Sequence, residues 1–341
     1  MKRIASFFLA LALAFSLTAC TVPVEKADDG KIQIVATLFP YYDFARAIVG
    51  DRADVTLLLS PGREAHSFEP TPLDAVTISE SDVFLYNGGE GEYWVDSMLG
   101  AAGENIAVIA RMMDYVDALD EEYVEGMQGA DGHDHDHEHG SHDDHDDHDD
   151  HDHDHEEDKH DSDEVEYDEH IWTSPKNAVV LCRAVCDAIC KADLANEDFY
   201  RANCDGYCAQ IESLDARFAS LCESAPHKLL VFADRFPMLY FCREFGLDYR
   251  AAFHGCSGDT EPSLATIKYL IDKVEDEDIP VVYTIDFGTK KVAAVVSECT
   301  GAAVDTLYSM QTVSRADFDA GETYLTLMER NYEALRKGLN E

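Results

Sequence analysis

The chain has 341 residues, 46% of them hydrophobic, which is enough apolar material for two domains or for one large one. It carries 69 acidic residues against 26 basic ones, so its formal net charge is −43. A surface of this sign repels nucleic acid and attracts cations, and binding to DNA or RNA is therefore excluded.

The N-terminus has the pattern of an export signal. Two basic residues precede an apolar run over residues 4–17, which is too short to cross a bilayer comfortably. The sequence Leu-Thr-Ala-Cys that ends at Cys20 resembles the lipobox of bacterial lipoproteins. We expect a signal peptide over 1–19, a lipidated Cys20 that anchors the protein to the outer face of a membrane, and a tether over 20–30. An ordinary cleaved signal with a chance cysteine is the alternative.

Strand-like and helix-like segments alternate in two blocks after the tether. This alternation predicts two α/β lobes with parallel sheets and flanking helices, the first over 31–195 and the second over 224–341. The predicted strands cover 31–37, 55–59, 83–86 and 106–110 in the first block, and 229–232, 249–253, 281–285 and 303–307 in the second. The predicted helices include 40–49, 72–80 and 94–99, and a last one over 321–339.

A sustained apolar stripe lies between the two blocks. Its members recur every three or four residues, which predicts one long, stiff helix over 196–223 that packs along both lobes. A coiled-coil dimer is the alternative, but three heptads without a clear charge code favour a monomer. The stripe consists of Tyr200, Cys204, Tyr207, Ile211, Leu214, Phe218 and Leu221.

The segment HDHDHEHGSHDDHDDHDDHDHDHEE, residues 133–157, holds ten histidines and has no apolar periodicity. Such a composition predicts a disordered loop, over about 128–166. Neutral imidazoles bind zinc, copper and nickel, and the interleaved carboxylates attract cations, so we interpret the loop as an accessory metal-binding element. Its histidines, with one more just beyond, are His133, His135, His137, His139, His142, His145, His148, His151, His153, His155 and His160.

Two further histidines have a different setting. His66 lies in GREAHSFEPTP, a few residues beyond a predicted strand, and His170 lies in DEHIWTSPKNA, where the acidic loop ends. Ligands of parallel α/β lobes bind at the carboxyl ends of strands, where such loops lie. Flanking prolines and aromatic residues restrict each histidine to few conformations, as a preformed metal site requires.

These two motifs, together with ATLFPYYDFARAIVGD and NGGEGEYWVDSML, resemble the zinc and manganese solute-binding proteins of ABC transporters, the ZnuA/TroA type. The resemblance extends from about residue 31 to the C-terminus. It implies two α/β lobes joined by a rigid helix, with metal bound in the cleft between them and His66 and His170 among its ligands. It also implies that an acidic His-rich loop before the second motif is dispensable for the main site.

The second lobe departs from the pattern of this family. The family usually places a His or Glu in a strand-end motif and an Asp after a later strand. This chain has Ala233 at the first position, followed by Asp234, and Tyr308 roughly at the second. The sequence therefore resembles a variant branch with altered ligands in the second lobe.

The remaining ligands are proposed from chemistry. Zinc prefers four ligands, and two neutral histidines leave its charge uncompensated, so a carboxylate is favoured. Asp234, Asp286 and His254 each follow a predicted strand of the second lobe and are candidates, with Glu261 a weaker one. Each has an ordinary structural alternative, and Asp234 in particular suits the N-cap of the helix that follows it.

Nine cysteines remain beyond Cys20, an odd number that cannot all pair within the chain. Cys182, Cys186 and Cys190 are spaced four residues apart and so line one face of a helix. We expect them to pack as small buried apolar residues, and a thiol metal site is the alternative.

These observations predict a membrane-tethered receptor, not an enzyme, that captures zinc and delivers it to an ABC-type permease and its ATPase. Imidazole ligands favour zinc over manganese, and a manganese-selective receptor is one alternative. A surface zinc store that acts mainly through the His-rich loop is another. A zinc hydrolase is disfavoured because the sequence contains no HExxH or comparable motif.

Overall fold

Two four-stranded parallel sheets organise the chain. The computed structural model describes residues 30–63, 67–102, 105–129, 166–257 and 261–340, and the residues from Ile32 onward form one unit by their internal contacts. The signal peptide, Cys20, most of the tether, His66 and the whole His-rich tract lie outside the described residues.

The first sheet has the strand order β2-β1-β3-β4, with every pairing parallel. A proline in the first turn starts α1, and a capping box between Thr71 and Asp74 starts α2. The strands are β1 (Gln33–Ala36), β2 (Asp54–Leu57), β3 (Val83–Tyr86) and β4 (Val108–Arg111). The helices are α1 (Phe39–Val49), α2 (Pro72–Ser79), α3 (Trp94–Ala102) and α4 (Pro175–Ala192).

The second sheet repeats this arrangement, with the order β6-β5-β7-β8 and parallel pairings throughout. Its strands are β5 (Leu229–Phe236), β6 (Asp248–His254), β7 (Val281–Ile285) and β8 (Ala303–Leu307). Its helices are α6 (Leu239–Phe245), α7 (Leu264–Asp276), α8 (Lys291–Thr300), α9 (Arg315–Ala320) and α10 (Tyr324–Asn340).

The helix α5 (Glu197–Ser224) connects the two lobes. All seven residues of the predicted apolar stripe are buried. Tyr207 donates its hydroxyl to Asp43 of α1 at 2.5 Å, and Phe218 packs edge-on against Phe241 of α6 at 5.0 Å. The predicted connector is therefore confirmed, and the coiled-coil alternative is wrong because the chain itself covers the stripe.

Residues 119–129, here called the crossing segment, follow the first sheet in the chain but pack against the second lobe. The Gln128 amide donates to the Ala252 carbonyl of β6 at 2.9 Å. The Glu121 amide donates to the Glu166 carbonyl at 2.8 Å, so the residues before and after the His-rich tract are hydrogen-bonded to each other. The described residues that flank the tract therefore lie near β6 on one side and lead to His170 on the other.

The predicted two-lobe parallel α/β architecture is confirmed, and seven of the eight strands agree with prediction to within about two residues at each end. The exception is β5, which continues to Phe236 with an irregularity in its pairing after Phe232. Among the described residues, no helix combines the length and the apolar character that crossing a membrane requires.

Candidate metal centre

His170 is held in one orientation by its own segment. Its side chain is almost fully buried, with the residue only 1% exposed. Nδ1 lies 3.2 Å from the Asp168 carboxylate, which also accepts the His170 backbone N–H at 2.8 Å. This contact keeps the proton on Nδ1 and the lone pair on Nε2, the arrangement of a metal-binding imidazole with a carboxylate behind it. Burial opposes protonation, but the charge of Asp168 outweighs it and raises the pKa of His170.

His170 faces the carboxyl edge of the second sheet, and the carbonyl of the residue before it, Glu169, accepts the side-chain amide of Asn87, which follows β3 of the first sheet, at 3.0 Å. His170 lines a cleft of about 310 Å³ together with residues that follow β5, β6, β7 and β8, here called the interlobe cleft. Gly255 allows this close approach, since a Cβ at this position would lie 3.0 Å from Cε1 of His170. Trp172 ties the two edges together by donating its indole N–H to the Ser309 carbonyl at 2.7 Å. The wall of the interlobe cleft also includes Arg235, Pro237, Ile285, Asp286, Gln311 and Thr312.

Asp286 and Asp234 have different positions relative to this cleft. Asp286 follows β7, lines the cleft with His170 and accepts the Ser309 amide at 3.2 Å. Asp234 lies within β5, where its carboxylate accepts the amides of Arg235 at 2.9 Å and Ile285 at 3.4 Å. It is not among the described residues that line the cleft. The alternative of a helix N-cap at Asp234 is wrong, because the strand continues past it and α6 begins only at Leu239.

The remaining second-lobe candidates face elsewhere. Glu261 is exposed and lies 3.8 Å from Lys291. Ala233 is buried in the core of the second lobe. Tyr308 packs under the Arg330 guanidinium of α10, 5.3 Å from its ring centroid.

His254 is paired with a residue that the sequence did not indicate. At the end of β6, its Nδ1 lies 2.9 Å from Oε1 of Glu121, on the crossing segment. Glu121 is 4% exposed at its side chain, and its Oε2 is buried without a hydrogen-bond partner among the described residues. Burial opposes its ionisation, but the hydrogen bond from His254 and the charges of His170 and His254 lower the pKa of Glu121. An acidic oxygen in this setting favours a cation.

The first lobe contains two more buried carboxylates. Glu169 accepts the Gly91 amide at 2.7 Å, and Glu92 accepts the Gly88 amide at 2.8 Å. Both line a second cavity of about 340 Å³. Burial raises the pKa of Glu169, and it raises the pKa of Glu92 to about 7.

The structure thus brings His170, Asp286 and the Glu121–His254 pair to one region and leaves Asp234 and Glu261 outside the lining of the cleft. His66 cannot be placed, but Phe68 beside it is buried in the wall of the second cavity and packs on Trp94 at 5.4 Å. Sequence reasoning missed Asp168 although it stands two residues before His170. It missed Glu121 because nothing local marks that residue.

A family model described as "Zinc-uptake complex component A periplasmic" matches residues 34–338. The chain is 30% identical over 338 residues to the zinc-binding lipoprotein AdcA of Streptococcus pneumoniae, which covers 99% of the chain and 61% of that relative. It is 28% identical to the high-affinity zinc uptake system protein ZnuA of Bacillus subtilis, over 99% of the chain and 98% of that relative. The chain therefore spans about three fifths of the pneumococcal protein.

Solved structures show the same fold. The Zn(II)-bound ZnuA-like domain of Streptococcus pneumoniae AdcA superposes with a TM-score of 0.70 at 25% identity, covering 92% of this chain and 100% of that one. The metal-dependent lipoprotein YcdH of Bacillus subtilis gives 0.70 at 27% identity, covering 91% and 99%.

Proposed function

The chain belongs to the zinc-uptake complex component A family, and on this premise we propose that it captures zinc in the interlobe cleft. The observation that carries the proposal is His170, buried against the carboxyl edge of the second sheet and oriented by Asp168. Neutral imidazole favours zinc over manganese, which prefers carboxylate and water ligands. The names of its relatives, zinc-binding and zinc-uptake proteins, support the same metal.

The proposed ligands are His66 and His170 from the first lobe, Asp286 from the second, and Glu121 from the crossing segment. Two carboxylates balance the charge of the ion, and four ligands complete its tetrahedral preference. His254 then holds Glu121 in place by its hydrogen bond. Among the described residues, His170, Asp286 and Glu121 do not converge within 4.8 Å, so binding requires a movement of the side chains or of the lobes.

Delivery to an ABC-type permease and its ATPase is the second part of the proposal. It rests on the family and on the uptake role named for the Bacillus relative. The N-terminal pattern ending at Cys20, and the lipoprotein name of the pneumococcal relative, support export and a lipid anchor on the outer face of the membrane. The buried connector α5 favours small movements over a wide hinge.

The His-rich tract acts as an accessory in this proposal. The crossing segment, which contains Glu121, and residues 166–170, which end at His170, flank the tract and are hydrogen-bonded to each other. Metal held weakly by the tract would thus be released next to the cleft, and a high local concentration would speed its capture.

Zinc titration by calorimetry against a competing chelator tests this proposal. The chain lacking residues 131–163 is compared with its His66→Ala and His170→Ala variants, under anaerobic conditions with a reductant that does not bind zinc. His227→Ala is the matched control, since His227 precedes β5 at the opposite edge of the second sheet. We expect each cleft variant to bind one tight equivalent fewer than the parent chain and the control to bind as many as the parent.

Two outcomes would contradict the proposal. A loopless chain from which the cleft variants remove no tight equivalent, beside a full chain with many equal weak sites, would make the protein a surface zinc store. A tight site that prefers manganese over zinc in the same competition would make it a manganese receptor.

A further inference from the structure

A group of cysteines lies far from the cleft, between α4 and α5. Cys182 and Cys186 come from α4, and Cys204 and Cys208 from α5; these four residues are here called the thiol cluster. Each is at most 3% exposed, and all are free thiols. Spacing of four residues places both thiols of each helix on one face, and the two faces are packed against each other.

The sulfur atoms have the separations of a metal site. The Sγ atoms of Cys182, Cys204 and Cys208 lie within 4.8 Å of one another. Those of Cys204 and Cys208 are 3.9 Å apart. A tetrahedral zinc ion, at about 2.3 Å from each sulfur, holds its sulfurs about 3.8 Å apart. Cys186 lies beside these three residues and interacts with Cys204 through its side chain.

Charge near the cluster suits bound thiolates. Three thiols that bind one divalent ion release three protons to solvent and leave one net negative charge at the site. Arg183 follows Cys182 directly on α4 and lies close enough to Cys208 for their charges to interact. Its side chain is about half exposed and also pairs with Asp205 at 3.1 Å. A cation is therefore already in place to balance the thiolate site.

Simple packing accounts less well for this arrangement. Buried thiols often act as small apolar residues, and Cys222 of α5 and Cys242 of α6 are examples in this chain, buried outside the cluster. Packing alone gives no reason for three sulfurs from two helices to converge on one point. Three such ligands at these distances are what a thiophilic ion requires.

We infer that Cys182, Cys204 and Cys208, with Cys186 beside them, form a second metal site that binds one thiophilic divalent ion, zinc foremost, and fastens α4 to α5. This site would stabilise the junction between the first lobe and the connector helix. It is independent of the proposed capture of zinc in the cleft, because it shares no residue with that site.

Cobalt(II) titration followed by absorption spectroscopy tests the inference. The full-length chain, kept reduced and free of oxygen, carries Cys20→Ala, Cys256→Ala and Cys299→Ala, so that no thiol remains near the cleft or exposed on the second lobe. Thiolate ligands give a sulfur-to-cobalt charge-transfer band in the near ultraviolet, whereas imidazole and carboxylate ligands in the cleft or tract do not. We expect the intensity of this band to reach a plateau that corresponds to one thiolate-bound cobalt ion per chain, and the band to disappear when excess zinc is added.

Two variants in this background decide the assignment. Cys204→Ala should lose the band completely, and the matched control Cys222→Ala should keep it in full. A cooperative thermal transition in circular dichroism shows that each variant is folded, and Cys182→Ala serves if Cys204→Ala is not. A folded background protein without the band, a band that survives Cys204→Ala, or Cys204 found in a disulfide in protein isolated without oxygen would overturn the inference.

Discussion

The two sheet edges that meet at the cleft are built differently. On the first-lobe side, Glu92, Glu169 and His170 are all at most 8% exposed, and each has hydrogen-bond partners that fix its orientation. On the second-lobe side, Asp286 and Arg235 are only half buried. One half of the candidate site is therefore dry and set in place by the fold, and the charged side chains of the other half are more exposed to water.

The difference is consistent with a receptor that must also release its cargo. A fully preorganised site from both lobes would bind tightly but would resist opening. In this arrangement the rigid first-lobe half selects the metal through imidazole coordination. The second-lobe half contributes carboxylate charge when the cleft closes on the ion. Each of the following predictions alters one side of this comparison.

The largest expected effect concerns the dry side. Burial raises the pKa of Glu92 to about 7 from the ordinary value of 4.5 for a glutamate. Because the folded state holds a proton that the unfolded state releases, the free energy of unfolding should fall as the pH rises from about 4.5 through 7. Glu92→Gln removes this dependence. The difference in the free energy of unfolding between wild type and the variant should therefore change by on the order of 3 kcal/mol across that pH range.

Chemical denaturation of the metal-free chain at several pH values measures this difference. Glu90→Gln is the matched control, since Glu90 is exposed on the same turn. Parallel profiles for wild type and Glu92→Gln would mean that water reaches this edge and that the two sides of the cleft are alike.

The second prediction compares two carboxylates of the second lobe. Asp286→Ala should weaken zinc binding by about 100-fold, or about 2.7 kcal/mol, because it removes a proposed ligand. Asp234→Ala should change zinc affinity by less than about threefold and instead lower stability by about 1–2 kcal/mol, since its oxygens accept backbone amides. Chelator competition measures the zinc affinity of both variants, and denaturation measures their stability. A larger loss of zinc affinity in Asp234→Ala than in Asp286→Ala would make Asp234 the ligand.

The third prediction tests how far the first lobe orients its own ligand. Asp168→Asn keeps an oxygen for the His170 backbone N–H but removes the charge behind Nδ1. Zinc affinity should fall by about 10- to 100-fold, the usual effect of losing a carboxylate behind a ligating histidine. Chelator competition measures the loss. Unchanged affinity would mean that burial alone holds the imidazole.

Local patterns in the sequence were sufficient for most of the fold. The strands are short apolar runs, and the apolar residues from Tyr200 to Leu221 recur with the period of a helix. Both patterns therefore predict these elements from the local sequence alone. The length of β5 was missed because the polar pair Asp234–Arg235 interrupts its apolar run; in the fold these residues accept and donate hydrogen bonds at the sheet edge.

The sequence was sufficient to predict only part of the candidate site. His170 stands in a motif with Trp172, and both are buried as a preformed site requires. Glu121 was not predictable, because its contact with His254 joins residues 133 positions apart through a segment without periodicity. The same limit applies to the thiol cluster: the spacing on each helix is visible in the sequence, but the facing of the two helices is a property of the fold.

The smallest expected effect comes from the contact between the two sides. A Cβ on Gly255 would lie 3.0 Å from Cε1 of His170 and 2.9 Å from the Phe236 carbonyl, so Gly255→Ala should displace the imidazole by a few tenths of an ångström. Metal ligands tolerate little misplacement, and zinc affinity should fall by up to about 10-fold. Gly100→Ala is the control, since a Cβ there meets nothing within 4 Å and should leave the affinity unchanged. If Gly255→Ala bound zinc as tightly as wild type, the His170 imidazole would be able to shift without loss of affinity. The first-lobe side of the site would then not be rigid at His170.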